Sequence, residues 1–161
     1  MSLAPRETIY AALLTQLQTA GTIFQTYTRR WKSVWDDPGS QVAALPMLIQ
    51  QDQNERIRWD NRGIGGVSTW SVKLEVYAKI PDGTTPGVPD GTTPGSAVLN
   101  PLIDALFEAL APSGPDGLQT LGDLVIDCRI EGEIIRVLGD EDPSGLCGAI
   151  VPVIIQVISS R

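Results

Sequence analysis

The chain has no histidine among its 161 residues. That absence removes Ser-His-Asp and Cys-His nucleophile pairs, the commonest acid/base near neutral pH, and zinc sites that need an imidazole. Cysteine is almost as scarce. Cys128 and Cys147 are the two present, too few for a four-thiolate metal site. Long hydrophobic runs are missing as well: the longest, Ala149–Ile155, contains Pro152 and falls far below the ~20 residues of a membrane span. The segment after Met1 lacks secretory character, because Arg6 and Glu7 interrupt any apolar stretch. Positive charge is in deficit, with 12 Lys and Arg against 19 Asp and Glu and a net charge of −7. Such a surface repels phosphate backbones and disfavours sequence-independent nucleic-acid binding. These absences together predict a non-enzyme with no cofactor, no metal and no membrane partner.

What remains is an ordinary globular composition, 42% apolar and 19% charged. A chain of 161 residues suits a single domain over 1–161, and that size buries roughly 68–70% of its unfolded surface without a metal or disulfide staple.

Apolar periodicity sets out the elements. Pro5–Thr19 predicts an amphipathic helix with Ile9, Leu13, Leu14 and Leu17 as its buried stripe and Gly21 placed to stop it. Thr22–Lys32 has strand composition, Asp37–Ser40 reads as a turn, and Ala44–Gln51 as a short strand that Pro46 assigns to an edge. Asp52–Arg58 is too polar to classify, and Asn61–Gly66 reads as a loop or hairpin tip. In Thr69–Lys79, Trp70, Val72, Leu74, Val76 and Ala78 alternate with polar neighbours, predicting one dry and one wet face. Asn100 and Pro101 read as cap and first residue of a second helix, with Leu102, Ile103, Leu106, Phe107 and Leu110 inward and Pro112 ending it. Leu124–Leu138 alternates with Ile126, Cys128, Ile130 and Ile134 inward and Asp127, Arg129, Glu131 and Glu133 outward. Leu146–Ser159 is a last strand so apolar that something must cover each face, with Pro152 near an edge or bulge. The predicted class is α+β: a mostly antiparallel sheet with two helices packed on one face.

Between the third strand and second helix the chain repeats itself, PDGTTPGV over 81–88 and PDGTTPGS over 89–96. Pro81-Asp82-Gly83 and Pro89-Asp90-Gly91 are turn chemistry, incompatible with a helix or strand, so 81–96 predicts a long, flexible, exposed loop. A duplication tolerated because the loop is solvated fits as well as a binding role does. A hairpin turning near 139–143 places Cys128 opposite Val153 and Cys147 opposite Ile134, too far apart to bridge.

Candidate chemistry is thin. Asp140, Glu141 and Asp142 lack the alternating ligands of a calcium loop and read as a solvated turn. Asp127, Glu131 and Glu133 could pair as acid and base, but Arg129 interrupts them and an acidic assembly-facing stripe is the simpler reading. No motif supports a Ser–Lys dyad. Arg29-Arg30-Trp31-Lys32 could track a nucleic-acid strand, or cover an apolar neighbour and pair with an acidic partner subunit; the overall charge favours the second.

Six segments in matching order resemble the tail-terminator (minor tail, tail-completion) proteins of long-tailed bacteriophages. They are Arg6–Leu13, Trp70–Ala78 with its Leu-Glu-Val-Tyr-Ala ending, Leu99–Leu106, Leu118–Gly122, Ile130–Glu133 and Ala149–Val153. The doubled repeat departs from that family's pattern, in which a shorter linker is expected. The resemblance implies a homo-oligomeric ring of six subunits at the head-proximal end of the virion tail, assembled in the host cytoplasm. Such a ring caps the tail-tube protein, stops its polymerisation and presents a docking surface to the head-completion (connector) protein. DNA passes through it without being specifically bound. A neck adaptor, a tube subunit, a small accessory binding module or an enzyme with an unrecognised carboxylate site are the alternatives.

Overall fold

The computed structural model describes residues 4–29, 45–59, 65–113 and 116–160. Helix α1, Arg6–Leu17, runs into a 3-10 segment, Gln18–Ile23, that is kinked at Gly21. Strand β1 covers Thr26–Arg29, β2 Met47–Trp59 and β3 Gly65–Lys79. Helix α2, Gly95–Ala109, precedes β4, Asp127–Ile130, β5, Ile135–Val137, and β6, Leu146–Ser160. The sheet order is β1-β2-β3-β6-β4, with β5 also on β6. Its pairs are antiparallel except β1 with β2. The fold is α+β, as the periodicity predicts.

Both helices lie on one face of the sheet. Ile9, Leu13 and Leu17 of α1 and Leu99, Leu102 and Leu106 of α2 share a core with Leu48, Trp70, Val72, Leu74, Val76, Val151, Val153 and Ile155. Trp70, Val72, Leu74, Val76 and Ala78 of β3 all point into it, which is the dry face the alternation predicts.

The opposite face is drier than expected. Glu75 and Tyr77 are 1% exposed, and Tyr77 packs with Met47 and Ile49 in a second apolar cluster. Glu75 is tolerated there because Tyr77 Oη donates to its Oε2 at 2.5 Å and Lys73 Nζ lies 2.6 Å from its Oε1.

Several boundaries differ for identifiable reasons. Among the described residues of the predicted strand 22–32, only 26–29 is strand, and the stop at Gly21 (φ 79°) is followed by 3-10 backbone. Residues 30–32 and the predicted turn at 37–40 lie outside the described residues. Strand β2 is an interior strand, longer than predicted, and not an edge. Pro46 sits just before it behind a cis peptide bond, where its carbonyl accepts from Gln25 N at 2.8 Å. Its missing donor is therefore not needed by the ladder. Gly65 and Gly66 of the predicted loop belong to β3.

Helix α2 begins five residues earlier than Asn100, and so takes in the end of the repeat, which the Pro/Gly content argued against. Pro101 is inside it, so the bond that residue 101 would donate to the carbonyl four residues back is missing. The true start is fixed from a distance: Asp140 Oδ1 accepts from Gly95 N at 2.8 Å, satisfying one of the orphan donors of the first turn. Phe107, predicted to face inward, is 48% exposed, whereas Leu106 is fully buried.

The predicted strand 124–138 is two strands. They part at Gly132 (φ 127°), where a Cβ would come within 2.9 Å of Pro152 Cγ. Pro152 accepts from Glu131 N at 3.1 Å, so its donorless nitrogen faces the gap between β4 and β5. A central proline is thereby accommodated without an edge. The register is also displaced: Cys128 pairs with Ile155, not Val153, and Cys147 pairs with Ala78 of β3. Both cysteines are buried and free. Burial pushes the Cys128 thiol up to about 12 and the Cys147 thiol to about 11.

Candidate assembly surfaces

The interaction residues suggested by the sequence fall into three places. Arg29 is turned into the molecule, between Glu7 of α1 and Asp52 of β2, with its guanidinium 5.5 Å from the Tyr10 ring. Beside it Arg6 forms a fork on Glu55, both bonds 3.0 Å, and Ser68 Oγ donates to the same carboxylate at 2.8 Å. The Arg6 guanidinium holds the Glu55 carboxyl below its usual range. A β-bulge makes this possible. Asp52 pairs with Val72 and Glu55 with Trp70, so one extra residue between them brings both carboxylates to the helix face. Strict alternation would have sent one of them to the other side. Arg29 is thus a fastener between α1, β1 and β2. Arg30, Trp31 and Lys32 lie outside the described residues.

On β4, Arg129 bridges its two neighbours: it pairs with Asp127 and donates to Glu131 Oε2 at 2.6 Å. The bond to Asp127, then that to Glu131, raises the Arg129 pKa. Asp127, predicted to face outward into solvent, is buried, and its Oδ1 also accepts from Gln119 N at 3.4 Å. Two of the three carboxylates of the stripe are therefore paired within the chain, sharing one arginine. Glu133, beyond the end of β4, stays exposed.

The repeat folds as two different units. In the first copy Asp82 accepts from Lys79 Nζ at 2.7 Å and from Gly87 N at 2.8 Å, and Gly83 N donates to Val88 O at 2.8 Å. In the second, Asp90 accepts from Thr92 N at 2.9 Å and Thr93 N at 2.8 Å, an Asx-type turn. These donors hold both carboxyls below their ordinary values, Lys79 first for Asp82 and Thr93 first for Asp90. Asp82 forms a bridge with Pro89, so the first copy closes on the start of the second. The second is anchored further. A Cβ on Gly145 would meet Pro89 Cγ at 2.7 Å, and one on Gly95 would meet Leu138 O at 1.7 Å. Pro81, Gly83 and Gly91 are exposed.

No protein-family model and no curated protein matches the chain. Among solved structures 27 chains match. One comes from a structure described as "Virion of native gene transfer agent (GTA) particle". It is 12% identical over 94% of this chain and 95% of that one, with a TM-score of 0.49.

The surface that sequence reasoning only half anticipated is the sheet face opposite the helices. Along β6 the residues Ile150, Pro152, Ile154 and Ile158 share it with Ile135 and Val137 of β5, because Ile135 pairs with Ile150 and Val137 with Gly148. Ile158 is 60% exposed and Ile135 52%. Neither described helix lies on this face. The apolar content of Leu146–Ser159 on both sides was the available signal.

Proposed function

We propose that this chain is a structural virion protein of the tail-terminator type. Six copies close a ring on the end of the tail tube, end its growth and offer the head its docking surface. The carrying observation is the sheet face opposite the helices, where apolar side chains stay exposed and neither described helix lies. Exposed apolar clusters such as Ile135 with Val137, and Val67 with Ile158, mark association sites. The terminator role itself is supported by the six resembling segments. The action is occupancy and shape: a bound ring blocks addition of the next tube subunit, and no covalent bond is made or broken. A net charge of −7 suits a channel through which DNA must slide without sticking.

Light scattering with negative-stain imaging of purified protein tests this. The expected image is a flat annulus with a central hole. Long tubes would instead indicate a tube subunit. A strictly monomeric protein that binds a metabolite or metal would indicate an accessory binding module.

A further inference from the structure

A ring with more than two members needs a heterologous contact, in which two different patches of one surface meet. The long strands β3 and β6 carry an exposed apolar patch at each end, and the two ends differ in the sign of their charge. At the far end Trp59 is 41% exposed, Val67 39% and Ile158 60%. Val67 pairs with both Arg58 and Ile158, so these three share the face opposite the helices, with Trp59 at the end of the strand beside them. Arg56 and Arg58 flank it, and neither forms an ion pair among the described residues. Together with Trp59 and Val67 they line an open depression of about 710 Å³.

At the near end Ile135 is 52% exposed, Val137 49% and Leu138 37%. Glu133 precedes this group, and Asp140 and Glu141 follow it, three exposed carboxylates against the one exposed cation Arg136 within it. Ile150, the β6 partner of Ile135, lies about eight residues from Ile158, roughly 26 Å of extended strand. One rigid sheet cannot fold that distance back on itself, so a chain cannot satisfy its own basic socket with its own acidic knob. A second copy can. Scattered exposed apolar residues need no explanation, but two clusters rimmed by opposite charge are complementary halves.

We propose that these patches are the two sides of one subunit–subunit interface. Ile135, Val137 and Leu138 of one copy seat in the depression beside Trp59 and Val67 of the next, and Glu133 and Glu141 face Arg56 and Arg58. This assignment rests on the ring reading and specifies its contact.

The test uses charge reversal of exposed side chains and sedimentation velocity on the full chain. R56E/R58E and E133K/E141K should each self-associate about tenfold more weakly than wild type, or worse. Their equimolar mixture should recover assembly, because alternating subunits restore opposite charge at every contact. A single chain carrying all four reversals should recover it too, whatever the ring size. Thermal unfolding of each variant checks that it is folded. Wild-type assembly by both double variants, or failure of both the mixture and the fourfold variant when folded, overturns the interface while leaving the ring standing. Failure of the wild type to associate at any concentration overturns the ring itself.

Discussion

Leu106 and Phe107 are adjacent in α2, yet the structure gives them opposite environments, and a paired substitution tests the helix phase. Leu106 is fully buried between the helix and the sheet, whereas Phe107 is 48% exposed. Leu106→Ala removes apolar surface that is wholly out of water and leaves a cavity in the core that both helices share with β2, β3 and β6. Leu→Ala changes in such sites cost about 2–5 kcal/mol, transfer and cavity terms together. At about 2–4 °C per kcal/mol for this chain length, the melting temperature should fall by roughly 4–20 °C. Phe107→Ala leaves no enclosed void, and the loss should stay near ~1 kcal/mol. Urea unfolding at one low protein concentration is the assay, since association would stabilise the folded state by mass action. The midpoint should move for Leu106→Ala with little change in slope. Equal losses for the two variants, or a larger loss for Phe107→Ala, would refute the placement of this helix.

Removing one copy of the repeat should be tolerated, whichever copy is removed. Deleting 81–88 or 89–96 leaves the same Pro-Asp-Gly-Thr-Thr-Pro-Gly before Ala97, differing only in a final Ser or Val. Either deletion should therefore leave the fold intact and change loop closure by only ~0.6 kcal/mol; a large fall in melting temperature would show that the loop is packed. Gly95→Ala places a methyl against Leu138 O and should cost about 1–3 kcal/mol or more, read by chemical unfolding. Acidification should destabilise the chain in a defined window. Glu55, Asp82, Asp90 and Asp142 all titrate lower in the folded state than their ordinary values of 4.5 and 3.8. Their contribution is complete above those values and is lost as pH falls through the depressed ones. A melting temperature that held constant from neutrality to pH ~3 would contradict this.

Much of the fold was legible because local periodicity carried it. Ile9, Leu13 and Leu17 mark α1, and the even positions of β3 mark the core face. The misplaced features were set by distant residues. The start of α2 is capped by Asp140, forty-five positions away, so nothing near Asn100 could reveal it, and the Asn-Pro pair was a local decoy. The bulge in β2 leaves no compositional trace in Gln53 and Asn54, though it decides which face Asp52 and Glu55 occupy. The split between β4 and β5 follows from where Pro152 of another strand happens to pair. The surface residues were least legible of all. Arg29, Asp127 and Arg129 look like free charges in sequence and are partnered within the chain. Arg56 and Arg58 lie in a stretch whose polarity hid that it was a strand at all.

The central claim is that this molecule acts by fitting against copies of itself. Sedimentation equilibrium across a wide concentration range tests it most directly. The account predicts a mass that climbs to a fixed whole multiple of one chain and stays there, the mark of a closed assembly. A mass equal to one chain at every concentration, or one that grows without limit, would contradict it.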